Sequence, residues 1–218
     1  MKNIVIFYTP GAYGSFLSWM IDRFNTDRQS HEPRVIDNPL QADGSSHGYA
    51  TLCKCSCTAQ VEQWLEQNET TPWGYRIWAG WPVTATTSLD QAIKQTLASM
   101  QADDHLIVVS RTTEWETRLC WLNAQTKLDQ SRWFKELGIT SADELEDKFK
   151  QELEQRHFNR LADPRLLEIS VNEIIFAPTQ RVLSLVAQLG LTVCDADLFD
   201  QILTENRQRQ YNIEKING

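Results

Sequence analysis

Four residues in "IVIFYTPGAYGSFLSWMI" (Ile4 to Ile21) have types and spacing suited to holding an anion: Gly11, Gly14, Ser15 and Ser18. They lie between a continuous apolar run and a second one with helical spacing, Phe16, Leu17, Met20, Ile21 and Phe24. A helix N-terminus offers N–H groups without intrahelical partners and a partial positive charge. When a strand feeds it through a glycine turn, successive amides can wrap a phosphate, and glycine lets the backbone come close. A turn that uses glycine for geometry alone has the same appearance. The triphosphate-binding pattern G-x-x-x-x-G-K-[ST] is broken, because Ser15 and Phe16 follow Gly14. ATP or GTP hydrolysis is therefore disfavoured relative to binding of a different nucleotide.

A second candidate is Arg111, which directly follows the apolar run "HLIVVS". In open α/β sheets ligands bind at the carboxyl edge of the strands. A guanidinium there can grip phosphate with two parallel hydrogen bonds. The competing reading is a surface arginine paired with Glu114 or Glu116.

Proton transfer needs a base that titrates near neutrality, which suits histidine. His47, in the glycine- and serine-rich "DGSSHGYA", is the best placed; a solvent-exposed loop histidine is the alternative. His105 begins a strand, at the wrong edge for a ligand. His31 lies in a loop and His157 in a charged helix, while Asp37, Asp43 and Glu114 are fallback bases. The aromatics of "PWGYRIWAGWP" could stack on a sugar or a base, or pack a core. Cys53, Cys55 and Cys57 alternate, which suits one face of a buried strand better than a C-x-x-C metal site.

These residues need a scaffold. Continuous or alternating apolar runs predict strands at Lys2–Tyr8, Tyr75–Trp81, His105–Ser110 and Arg165–Val171, and an extended segment at 49–57. Helical spacing predicts Ser15–Phe24, Thr58–Asn68, Ser88–Met100 with Ser88 as N-cap, and Glu114–Gln125. It also predicts Ser141–Arg160 behind a Ser141-x-x-Glu144 capping box, Pro178–Leu189 stopped by Gly190, and Asp195–Arg209 before a polar tail. Asn25–Ser46 reads as mostly loop. Alternation of strands and helices predicts a three-layer α/β fold with a mainly parallel central sheet flanked by helices, in a single domain over residues 1–218.

Composition limits the function classes. With 218 residues, 41% hydrophobic and 23% charged, the chain is ordinary for a globular protein. A net charge of −8 argues against nucleic-acid or anionic-membrane partners, but a few local amides and arginines can still hold a small anion. No apolar run approaches 18 residues, and the first residues lack a signal-peptide pattern. Five cysteines, an odd number, fit reduced thiols and a cytoplasmic setting.

Three segments together resemble the PAPS-dependent sulfotransferases, enzymes of the P-loop superfamily that use 3′-phosphoadenosine 5′-phosphosulfate. "FYTPGAYGSFLSWMI" is similar to the loop for the donor's 5′-phosphosulfate. "LIVVSRTTEWETRLCW" is similar to the strand and helix for its 3′-phosphate. "LLEISVNEIIFAPTQRVLSLVAQLGL" is similar to the late strand, acidic turn and helix, and all three stand in family order.

The resemblance implies that Gly11, Ala12, Tyr13, Gly14, Ser15 and Phe16 surround the phosphosulfate and that Arg111 contacts the 3′-phosphate. The family's serine about eight residues further on is replaced by Leu119, leaving Thr117 as the nearest hydroxyl and Arg118 as a possible cation. The family's loop lysine is absent, with Gly11 or Ala12 in its place. Losing one charge-stabilising donor costs about 10²–10³ in rate. Arg76 is a candidate replacement, as are Arg207 and Arg209 in "ENRQRQYN", the closest match to the family's C-terminal basic motif. The implied reaction is sulfuryl transfer from PAPS to a hydroxyl of a small-molecule or glycan acceptor, with His47 as base and no metal. The alternative is a nucleotide- or partner-binding protein that kept the fold and lost turnover.

Overall fold

The computed structural model describes residues 1–9, 11–36, 58–67, 69–81, 87–125, 138–154 and 162–217. Its strands are β1 (Lys2–Tyr8), β2 (Tyr75–Gly80), β3 (His105–Ser110) and β4 (Leu166–Ser170). The helices up to β3 are α1 (Gly14–Arg23), α2 (Thr26–His31), α3 (Thr58–Glu66) and α4 (Leu89–Ser99). Beyond it come α5 (Glu114–Gln125), α6 (Ala142–Glu154), α7 (Val171–Ile175), α8 (Thr179–Gln188) and α9 (Ala196–Asn217).

The strands form one all-parallel sheet in the order β2-β1-β3-β4. Period-2 alternation sends successive strand residues to opposite faces. Ile4, Ile6, Ile107 and Val109 therefore meet Phe16, Leu17 and Met20 of α1, with residues of α5, α7, α8 and α9, in one core. Val5, Phe7, Trp78, Leu106 and Val108 meet Val61 of α3 and Ile93 and Leu97 of α4 in the other. Both faces are covered, which is why the strands read as unbroken apolar runs. The α/β fold with a parallel sheet flanked by helices is thus as expected.

Order β2-β1-β3-β4 makes β1 and β3 neighbours whose onward connections run to opposite sides. The carboxyl ends of β1 and β3 are therefore the switch point of the sheet, the place where open α/β sheets bind ligands.

Most boundaries fall within a residue or two of the reading from sequence, with three differences. The segment expected to be loop contains α2, a polar helix capped by Asn25, whose side chain accepts from the Arg28 N–H at 2.8 Å. It buries no residue, so it carries no hydrophobic period to read. Val171 opens α7 rather than ending β4, because Ser170 and Glu173 form a capping box there. The polar tail continues α9 to Asn217, and no Gly or Pro interrupts that stretch. The 49–57 segment with its three cysteines, and residues 155–160 of the charged helix, lie outside the described residues.

Among the described residues no helix is long and apolar enough to cross a membrane.

Candidate functional site

β1 delivers the glycine loop to the carboxyl edge, and β3 delivers Arg111 to the same edge one strand away. The loop turns tightly: the Ala12 N–H donates to the Thr9 carbonyl at 2.9 Å, and Gly11 has φ 76°. Tyr13 is the N-cap of α1 with φ 62°, a left-handed conformation uncommon for a residue with a side chain. Its side chain makes no capping bond. Gly14, Ser15 and Phe16 open the helix, so their amides form the positive end of its dipole.

Gly14 has a reason of its own for lacking a side chain. A Cβ there would stand 2.0 Å from Tyr8 Cγ and 2.1 Å from Cδ1. The Tyr8 hydroxyl and Ser15 Oγ share a hydrogen bond at 2.7 Å. Tyr8, which the sequence offered only as a strand residue, is thus laid along the first turn of α1. Ala12, Tyr13, Ser15 and Phe16 are buried and Gly11 is half-buried.

Arg111 is 1% exposed, which removes the surface-arginine reading. A phosphate that reaches it must displace whatever now covers it. Beside it, Thr9, directly after β1, neighbours Ser110, the last residue of β3, since Tyr8 pairs with Val109. Their hydroxyls are buried and make no hydrogen bond to the protein. Buried unsatisfied hydroxyls are uncommon and mark this edge as a place where a polar ligand would be stabilised.

Glu116 is fully buried at 0% exposure and accepts hydrogen bonds from the Thr112 and Thr113 segment and from the Asn172 N–H. The pattern Thr113-x-x-Glu116 is a capping box ahead of a helix, a signal present in the sequence, although there Glu116 stood only as a partner for Arg111. Thr117 donates its hydroxyl to the Thr113 carbonyl at 3.1 Å, inside its own helix. Arg118 is exposed and Leu119 buried.

The sheet register separates Arg76 from this site. Arg76 pairs with Asn3, near the amino end of β1. The distance to the carboxyl edge is five strand residues, about 16 Å at roughly 3.3 Å each. Its Nε and Nη2 donate to Asn3 Oδ1 at 3.1 and 2.9 Å, Nη2 also donates to the Trp64 carbonyl, and its guanidinium stacks on the Trp64 ring. Arg76 therefore does not stand in for the missing lysine. Arg207 donates to the carbonyls of Ile175 and Ala177, which ties α9 to the end of α7. Burial lowers the pKa of both arginines.

The aromatic stretch packs rather than forming a wall for a sugar. Tyr75, Trp78 and Trp81 are buried, and Phe7 meets Trp78 edge-on at 5.8 Å. Trp73 is half-buried with the Arg28 guanidinium 3.5 Å above its ring. His105 starts β3 at the amino edge, as expected. His47, Asp37 and Asp43 lie outside the described residues, and Glu114 is exposed at the start of α5. Among the described residues, no three His, Cys, Asp or Glu side chains gather as metal ligands.

No family model, no curated protein and no solved structure matches this chain.

Proposed function

We propose that the chain is a PAPS-dependent sulfotransferase with a P-loop-like fold. The observation that carries this reading is the adjacency of the Gly11–Ser15 loop and Arg111 at the carboxyl ends of two neighbouring parallel strands. The α1 amides would hold the 5′-phosphosulfate and Arg111 the 3′-phosphate. An acceptor hydroxyl, on a small molecule or a glycan, attacks sulfur in line; the S–O bond to the nucleotide breaks, and the acceptor proton passes to a base, for which His47 is proposed. Charge on the departing phosphate falls on the α1 amides and the Tyr8–Ser15 hydroxyl pair, since the loop has no lysine.

A second reading, nucleotide binding without turnover, is favoured by the placement of Arg76 at the far edge and by the engagement of Arg207 elsewhere. Calorimetry with 3′-phosphoadenosine 5′-phosphate, the desulfated product, tests both. Absence of binding at high micromolar nucleotide, or binding untouched by Arg111→Ala, rejects the site. Binding with no transfer from labelled PAPS across an acceptor panel selects the second reading.

A further inference from the structure

We propose that Glu116 is a positioning residue that fixes the direction of the Arg111 side chain toward a nucleotide 3′-phosphate; the inference rests on the nucleotide reading above. Glu116 Oε2 accepts from the N–H groups of Thr112 and Thr113 and from the hydroxyls of both, the Thr112 hydroxyl at 2.8 Å. Oε1 accepts from the Asn172 N–H at 2.6 Å, 56 residues away. A simple capping box would need only the Thr113 N–H and the return bond from the Glu116 N–H to Thr113 Oγ1, which is also present at 3.1 Å.

The additional bonds have a specific consequence. The Thr112 N–H lies in the same rigid peptide plane as the Arg111 carbonyl. Holding that N–H sets ψ of Arg111, and with it the direction in which the Cα–Cβ bond of this residue, directly after β3, leaves the backbone. The Asn172 bond then ties this turn to the start of α7, which follows β4. Ser110 and Ser170 pair in the sheet, so one buried carboxylate joins the exits of two adjacent strands. A buried carboxylate is tolerable only when saturated with donors, so the donors are held as firmly as the acceptor.

Glu116→Gln keeps the shape but gives one side of the group to an NH₂, which cannot accept. Either the threonine turn or the Asn172 tether is released. The test is calorimetry on the full chain with 3′-phosphoadenosine 5′-phosphate and with adenosine 5′-phosphate, which lacks the 3′-phosphate. The ratio of the two affinities reads the Arg111 contact. Glu116→Gln is expected to lower that ratio about tenfold, the lower end of what a weakened hydrogen bond to a charged group costs, with little change in adenosine 5′-phosphate affinity. In an Arg111→Ala background, Glu116→Gln is expected to leave the ratio unchanged.

Asn172→Pro removes the tethering N–H from the exposed second position of α7, where that N–H has no intrahelical acceptor, and is expected to shift the ratio in the same direction. It carries the test if the glutamine variant does not fold. Equal losses for both nucleotides, an unchanged ratio, or an effect that persists without Arg111 overturns the positioning role. A wild-type chain that does not discriminate the two nucleotides overturns the nucleotide reading itself and this inference with it.

Discussion

The ring of Tyr8 occupies the space that a side chain on Gly14 would need. A Cβ on residue 14 would lie 2.0 Å from Tyr8 Cγ and 2.5 Å from Tyr8 Cβ. Gly14→Ala must therefore push the ring off its seat against the core. Overpacking of this kind costs about 1–3 kcal/mol, which outweighs alanine's preference over glycine, about 1 kcal/mol in a helix interior and less at the first position of α1. Denaturant unfolding should show a net loss for Gly14→Ala, and Tyr8→Ala in the same chain should recover the alanine's own contribution. A stable single variant would show that the ring is not confined.

Arg76→Ala separates a structural arginine from a catalytic one. The guanidinium stacks on Trp64 and holds Asn3, so its loss is expected to lower stability by about 1–3 kcal/mol. Sites this far apart are usually independent, so nucleotide affinity should stay within about twofold. A selective fall in sulfuryl transfer, with binding intact, would return Arg76 to the proposed site.

Asp104 is a buried carboxylate that accepts from the Asn3 N–H at 2.7 Å and the Gln101 N–H at 2.8 Å. Asp104→Asn turns one of those acceptors into a donor facing a donor. The expected destabilisation is about 1–3 kcal/mol, read as a lower denaturant midpoint with an unchanged slope. An unchanged midpoint would mean that the turn before β3 does not depend on the pair of bonds.

His105 sets a pH dependence. Burial lowers its pKa below 6.5, with Lys2 adding to the effect against Asp104 and Asp103. Its Nδ1 is buried with no hydrogen bond. A depressed pKa means the folded state prefers the neutral ring, so the unfolded chain takes up the proton first as pH falls. The contribution is present above pH 6.5 and is lost on acidification through the lower folded value. Denaturant midpoints from pH 8 to 5 should fall more steeply for wild type than for His105→Gln. Parallel profiles would remove His105 from the pH response.

What could be read from the chain was what depends on neighbours in sequence. The apolar runs marked the four strands among the described residues, Ser88 and Ser141 marked helix starts, and Gly190 at φ 67° closes α8 as its position suggested. Glu116 was readable in part, since Thr113-x-x-Glu116 announces a cap, but its bond to Asn172 crosses 56 residues and leaves no local trace.

Arg76 and Arg111 show the remaining division most directly. Both are single arginines beside apolar runs, and side-chain type alone made each a candidate for one site. The sequence by itself determined that strands and helices alternate, because hydrophobic period is a local property. Only the tertiary structure decided that β2 lies parallel to β1 with Arg76 beside Asn3, and that Arg111 leaves β3 at the edge where the glycine loop turns. Register follows from packing two faces of a sheet at once, so it depends on residues far apart in the chain.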